Sequence, residues 1–183
     1  MIEPGTYRLG PDNATLCVHT KRGGAAAKAG HDLVIHVTAW QGTLELGADP
    51  ATTSVALTAD ATSLRVHQGT GGMQALGDQE KSSIHRTIDD AVLKRREIAF
   101  RSTAVRGAAG TGVLAVEGEL TLAGRCQPIA FDIAIGDDGR VNATALVTQT
   151  RWGVKPYSAL FGALKVLDDV EVALDGQLPA RSR

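Results

Sequence analysis

The chain has little cysteine and no excess of positive charge, and both features exclude classes of function. Its two cysteines, Cys17 and Cys126, lie far apart and lack the Cys-x-x-Cys spacing of zinc knuckles and thioredoxin-type redox motifs. We therefore expect two buried free thiols. Charged residues make up 21% of the chain and the net charge is -1, so the composition predicts no binding to nucleic acid.

Long apolar runs are missing as well, because glycine, threonine and charged residues recur throughout. A membrane-spanning helix needs about 20 consecutive apolar residues, so we expect no transmembrane segment. The amino terminus, Met1–Gly5, carries neither a basic nor an apolar signal region, and no secretory signal is expected. These absences predict a cytoplasmic protein. The chain length and the apolar content of 43% predict one domain over residues 1–183.

What the sequence does contain is a series of short segments that alternate in polarity and end at turns. Leu33–Trp40 is typical, since Leu33, Ile35 and Val37 fall on one face. The link Asp137-Asp138-Gly139 predicts a hairpin turn because glycine readily adopts a positive φ. The other predicted strands are Ala14–Thr20, Gly42–Leu46, Ser54–Ala61, Glu97–Val105, Gly112–Leu122, Gln127–Gly136, Val141–Thr150 and Val170–Gln177.

One internal region breaks the strand pattern. After Leu64, three glycines at positions 69, 71 and 72 predict a flexible stretch, and residues 78–94 switch to a helical period. Acidic residues in the first turn and basic residues in the last turn suit the helix dipole. Residues 87–90 match a capping box, which leaves open whether this insertion is one helix or two.

These segments together predict an all-β protein with about eight antiparallel strands and one helical insertion. Strands of this kind form a closed barrel or a two-sheet sandwich, and closure has the advantage of removing exposed edges. A barrel of about eight strands is just wide enough to hold its own side chains or one small ligand. Aromatic residues make up only 4% of the chain, which favours an under-filled interior, although small side chains also suit a tightly drawn barrel.

Recognisable catalytic motifs are absent, including the Gly-x-Ser-x-Gly elbow, the phosphate loop and the dinucleotide fingerprint. The nearest candidate is Gly30-His31-Asp32, where the carboxylate could orient the imidazole or both groups could reach a metal. Adjacent strand residues point to opposite faces, which favours a structural His–Asp pair. The alternative is a metal-dependent or hydrolytic enzyme that uses His31 and Asp32 with His19 or His36.

Several short motifs follow one another in a specific order. Gly5–Leu9 and the strand from Ala14 look like a first hairpin, Trp40–Leu44 looks like a glycine-marked second hairpin, and Val116–Gly124 looks like a central strand-turn signature. In this order the chain resembles the YceI-like family over nearly its whole length. The resemblance implies an extended lipocalin-like antiparallel barrel, whose better-known members enclose a long isoprenoid chain or a related amphiphile. The missing signal peptide and the insertion at residues 79–93 depart from those members, which leaves the ligand open.

The expected function is to carry or sequester a hydrophobic chain of isoprenoid, quinone or fatty-acyl type, without metal, cofactor or covalent chemistry. The predicted pocket lining is Ile35, Val37, Phe100, Phe131 and Ile133. Trp152, Tyr157 and Phe161 are predicted to form a lid or rim, because their segment has few strand signals and many aromatic residues. A further alternative is a filled barrel that acts as an interaction or stress-response module, and formation of a homodimer is left open.

Overall fold

Short runs of alternating aliphatic residues form strands throughout the computed structural model, which describes residues 2–107 and 112–179. One helix, α1 (Asp78–Thr87), is followed by a π-helical turn at Ile88–Val92. The strands are β1 (Gly5–Leu9), β2 (Ala14–Thr20), β3 (Arg22–Gly23), β4 (His31–Val37), β5 (Trp40–Leu46), β6 (Ser54–Ala59), β7 (Leu64–Gly71), β8 (Ile98–Gly107), β9 (Val113–Leu122), β10 (Arg125–Ile135), β11 (Arg140–Thr148), β12 (Ser158–Ala159), β13 (Leu164–Val166) and β14 (Asp169–Gln177). Short 3₁₀ turns lie at Ala27–Ala29, Pro50–Thr52, Gln149–Trp152 and Leu160–Gly162.

Eleven of the strands form one antiparallel sheet in the order β1-β5-β6-β8-β9-β10-β11-β14-β2-β4-β7. Strands β4 and β5 stand near opposite ends of this order, yet only Thr38 and Ala39 separate them in the chain. Both residues bond to the β6–β7 connection: the Thr38 amide donates to the Ser63 carbonyl at 3.0 Å and the Asp60 amide donates to the Ala39 carbonyl at 2.9 Å. The sheet therefore curls back on itself at this corner and encloses an interior.

The predicted all-β class and the barrel-like antiparallel sheet are confirmed, but the predicted number of about eight strands is too low. The difference comes from strands β1 and β7 of the main sheet, which were not among the strands predicted from alternation. The segment predicted as one strand over Leu33–Trp40 bends at residues 38–39, so that its last residue begins β5. A separate three-stranded sheet, β12-β13-β3, adds further short strands at one end of the molecule.

Strand β7 occupies the stretch that the glycines predicted to be flexible. It pairs with β4 from Val37↔Leu64 to His31↔Gly71, with a bulge opposite Val34 and Ile35. The bulge breaks the alternation that marks a strand in sequence. A Cβ added at position 72, where φ is +75°, would collide with the His31 ring, so glycine is required there for close packing.

The helical insertion is shorter than predicted, since it ends at Val92. Leu93 caps it, and Lys94 and Arg95 then adopt φ values of 54° and 53°. The predicted capping box does not form. Thr87 is itself in helical conformation, and its hydroxyl donates to the Ser83 carbonyl at 3.0 Å. No helix within residues 2–107 and 112–179 combines the length and hydrophobicity needed to cross a membrane.

One cluster of the core lies toward the end of the barrel where the β5–β6 and β10–β11 turns lie. Tyr7, Leu44, Val116, Val141 and Leu178 are buried there in one cluster. The opposite end is surrounded by the longer connections at residues 21–30, 72–97 and 149–168. The cysteines do not follow the prediction, because Cys126 is exposed and Cys17 is half-buried.

Candidate functional site

A cavity of about 830 Å³ lies inside the curled sheet. Alternate residues of nearly every strand line it, because side chains two apart on a strand point to the same face. The pattern is clearest on β14, where Val170, Val172 and Leu174 line the wall, and on β11, where every second residue from Val141 to Val147 does so. The interior is therefore not filled by its own side chains.

The five residues predicted to form the pocket lining all lie on the cavity wall. Ile35 and Val37 come from β4, Phe100 from β8, and Phe131 and Ile133 from β10. The two phenylalanine rings are tilted by 56° with centroids 5.2 Å apart, a favourable aromatic geometry.

The Phe100 ring lies over Gly118 of the intervening strand β9. A Cβ at that position would come within 2.5 Å of the ring, so glycine creates the space that the ring occupies.

The face of β4 that was predicted to point inward, with Ile35 and Val37, does line the cavity. The residues of the opposite face, Val34 and His36, do not belong to the cavity wall.

The three residues predicted as a lid or rim have different positions. Tyr157 lines the cavity and is 48% exposed. Trp152 does not line it, because its ring is buried in a separate cluster with Val147 and Val154 and its Nε1–H donates to the Leu120 carbonyl at 2.8 Å. Phe161 does not line it either and projects fully into solvent. The aromatic content of the segment did not reveal these orientations. Ligand contact by all the predicted residues stays a prediction.

His31 and Asp32 point to opposite sides of β4. His31 lines the cavity, and its Nε2–H donates to the Gln74 carbonyl at 2.8 Å. The Asp32 carboxylate accepts from the Arg22 amide at 2.8 Å and pairs with the Lys21 ammonium at 3.7 Å. Both side chains thus hold loops in place, and the geometry does not join them into a catalytic pair.

The other histidines of the enzyme hypothesis are separated from the cavity. His36 stacks on His67 with ring centroids 4.2 Å apart, and neither residue lines the cavity. Burial lowers the pKa of His36, and the neighbouring His67 and His19 lower it further. In the described part of the chain, no group of three or more His, Cys, Asp or Glu side chains is arranged to hold a metal ion.

Polar side chains on the wall concentrate near the end of the barrel bounded by the long connections. They include Arg22, Gln149 and Lys165. Gln149 is buried and donates to the Leu167 carbonyl at 3.0 Å. The Arg22 guanidinium donates to the Gly30 carbonyl and lies 3.9 Å from Asp32. We call this end of the cavity the mouth.

Two residues of the cavity wall, Thr20 and Trp40, each have a buried polar side-chain atom without a hydrogen-bond partner among residues 2–107 and 112–179: Thr20 Oγ1 and Trp40 Nε1. Buried polar groups in proteins are nearly always paired, so each such exception needs an explanation. Sequence reasoning missed both residues. For Thr20 the sequence contains an indication: the residue lies on the same strand face as the apolar Leu16 and Val18 but carries a hydroxyl group.

Comparison with known proteins agrees with this geometry. A family model described as a YceI-like domain matches residues 7–178. The fold is similar to the crystal structure of BcnA from Burkholderia cenocepacia, with a TM-score of 0.62 and 14% identity over 92% of this chain and 96% of that one. It is also similar to the Campylobacter jejuni YCEI protein, with a TM-score of 0.53 and 13% identity over 80% of this chain and 85% of that one.

No curated protein matches the chain in sequence. At identities this low the two crystal structures establish the fold alone. The family model, in contrast, covers almost the entire sequence and includes every residue that lines the cavity. The chain belongs to the YceI-like family.

Proposed function

We propose that the protein binds a hydrophobic chain of isoprenoid, quinone or fatty-acyl type in its cavity, and carries or sequesters it without covalent chemistry. The observation that supports this function is the cavity itself, which is enclosed by aliphatic side chains from opposite walls of the sheet. Its volume of about 830 Å³ falls in the usual range of small-molecule sites, about 300–1,000 Å³. Membership of the YceI-like family agrees with a binding protein.

Burial of an apolar chain supplies enough free energy for retention. Each buried methylene gains about 0.8 kcal/mol, so about ten methylene groups gain about 8 kcal/mol before association costs are subtracted. This gain needs no reaction and no metal. The cavity therefore suits a ligand with a long hydrocarbon portion.

The polar end of the ligand is expected at the mouth. The Thr20 hydroxyl, which has no partner among the described residues, would supply it with a hydrogen bond, and Arg22 and Tyr157 line the same region. Trp40 Nε1–H is a second donor on the wall and suits an acceptor oxygen on the ligand. These groups would fix the orientation of the chain while the aliphatic wall supplies most of the binding energy.

The enzyme hypothesis finds no comparable support. His31 holds the Gln74 loop and Asp32 is engaged by Lys21 and Arg22 on the other side of the strand. The cytoplasmic location, the stress-response role and the homodimer stay predictions from the sequence. Gel filtration across a range of concentrations would test the homodimer.

Filling the cavity tests the proposal. Ile35 on β4 and Ile133 on β10 lie on opposite walls, since β10 and β4 are separated by β11, β14 and β2 in the curled sheet. We expect Ile35→Trp and Ile133→Trp to abolish retention of an extractable chain ligand, because each indole occupies space that the chain needs. The matched control is Leu146→Trp, on a residue that is 60% exposed and absent from the cavity wall. Unchanged retention in both cavity variants, with intact folding by circular dichroism, would place the ligand elsewhere.

A further inference from the structure

Two segments form one side of the mouth, and we call them the basic lip: residues 21–31 and residues 151–167. They are joined by backbone hydrogen bonds, from the Ala26 amide to the Ala163 carbonyl at 2.7 Å and from the Leu167 amide to the Lys21 carbonyl at 2.8 Å. Strand β3 also pairs with β13. Both segments contribute cavity wall, so the basic lip is continuous with the proposed ligand site.

The charge of the basic lip differs from that of the chain as a whole. It contains no aspartate or glutamate, whereas the complete chain has a net charge of -1. A carboxylate follows each segment in sequence: Asp32 is paired with Lys21 and Arg22, and Asp168 accepts hydrogen bonds from the Thr150 amide and hydroxyl. Among the remaining lysines, Lys28, Lys155 and Lys165 are exposed. The cations of the basic lip are Lys21, Arg22, Lys28, Arg151, Lys155 and Lys165.

An apolar tip projects from the same surface. Leu160 is 59% exposed and Phe161 is exposed over its full area. Their φ values are 51° and 55°, a region that bulky residues adopt only at a cost. Gly162 follows with a φ of +87°, and a Cβ added there would meet no atom within 4 Å. Strained backbone thus holds two large apolar side chains away from the protein.

We propose that the basic lip docks onto a bilayer that contains anionic lipids, with Leu160 and Phe161 inserted at the interface and the lysines facing the headgroups. Apolar side chains flanked by cations are the usual combination of interfacial membrane binding. A projecting tip two residues wide differs from the broad patch that a stable protein partner requires, about 800 Å² on each side. The inserted tip brings the mouth to the membrane surface.

The functional value of docking rests on the proposed function, because a chain ligand could then pass between bilayer and cavity without crossing water. Docking itself does not depend on the ligand. Tyr157 and Leu164, which flank the tip on the same segment, line the cavity and extend its apolar wall to the tip. One continuous segment of the chain therefore lines the path of the ligand from the lipid headgroups to the cavity.

Flotation of the full chain with lipid vesicles tests the docking. We expect binding to phosphatidylcholine vesicles that contain phosphatidylglycerol, weaker binding at high salt, and little binding to phosphatidylcholine alone. The double variant Leu160→Asn, Phe161→Asn should reduce partitioning by about tenfold or more. Asparagine tolerates positive φ better than leucine or phenylalanine, so this variant keeps the fold. Leu146→Asn, which changes a side chain of similar exposure on β11, should bind vesicles like the wild type.

Failure of the wild-type chain to bind anionic vesicles overturns the docking proposal. The proposal is also overturned if the Leu146→Asn control loses as much vesicle binding as the tip variant does. Gel filtration of the tip variant is the second measurement: self-association that disappears with the tip would assign the surface to a second copy instead. Native mass spectrometry separates this proposal from the ligand proposal. The tip variant should keep the chain ligand while losing the vesicles, whereas Ile35→Trp should lose the ligand and keep vesicle binding.

Discussion

Replacing Thr20 with valine tests whether the cavity is built to receive a polar group. The Thr20 side chain is 8% exposed, and its Oγ1 has no hydrogen-bond partner among the described residues. An unpaired buried hydroxyl costs about 1–3 kcal/mol relative to an apolar group of the same shape. We therefore expect Thr20→Val to raise the free energy of unfolding of the ligand-free protein by about 1–2 kcal/mol. For a chain of this length each kcal/mol raises Tm by about 2–4 °C.

The same substitution should weaken ligand binding, because the polar end of the ligand loses a partner. A neutral hydrogen bond contributes about 0.5–1.5 kcal/mol, which corresponds to a factor of about 2 to about 13 in affinity. Stability and affinity would thus change in opposite directions. Thermal unfolding of delipidated protein measures the first change, and competition for a bound chain ligand followed by native mass spectrometry measures the second.

Thr53→Val is the matched control for Thr20→Val. Thr53 is equally buried, at 6% exposure, but its Oγ1 accepts a hydrogen bond from the Gly47 amide at 3.1 Å. Valine leaves that amide unpaired, so the control should lose about 1–3 kcal/mol of stability and keep ligand affinity. If Thr20→Val destabilises the ligand-free protein as much as Thr53→Val does, the Thr20 hydroxyl is already satisfied and the argument for a polar site at the mouth is wrong.

Three further predictions concern groups outside the cavity argument. Burial and then Arg65 lower the pKa of His85, whose neutral Nε2 accepts a hydrogen bond from the Val66 amide at 2.9 Å. The stability that this contact supplies is present above the unfolded pKa, near 6.5, and is lost as the pH falls through the lower folded pKa. Hydrogen exchange of the α1 amides should therefore become faster over that pH range, and should change much less in the variant His85→Gln. Trp152→Phe removes a buried indole and its hydrogen bond to Leu120, and should cost about 2–4 kcal/mol in urea unfolding. Cys126 is exposed, whereas burial raises the pKa of Cys17, so a thiol reagent should modify Cys126 first. The fast phase of the modification reaction should disappear in the variant Cys126→Ser.

Local alternation was sufficient to predict nine of the strands and much of the cavity wall. Ile35 and Val37 lie on one face because strand geometry requires a period of two, and their high hydrophobicity identifies that face as the inner one. The separation of His31 from Asp32 follows from the same rule. Strand β7 could not be predicted in this way, because a bulge and closely spaced glycines hide its period.

Tertiary contacts decide the features that the sequence did not indicate. Trp152 and Phe161 are both aromatic residues in a segment with few strand signals. Trp152 is nevertheless buried and hydrogen-bonded to the Leu120 carbonyl, whereas Phe161 is fully exposed. The corner at Thr38 and Ala39 depends on hydrogen bonds to residues more than twenty positions away. Likewise, whether Thr20 Oγ1 has a hydrogen-bond partner among the described residues depends on the positions of all the groups around it, which the sequence does not give.

Native mass spectrometry of freshly purified protein shows whether the cavity holds a hydrophobic chain. Organic extraction and lipid analysis of the same sample identify what is bound. The protein should show a discrete additional mass that matches an extracted isoprenoid, quinone or fatty-acyl compound and that disappears in Ile35→Trp. A clean ligand-free mass, together with no uptake of any of these three compound classes when they are added to the delipidated protein, would contradict the proposed function.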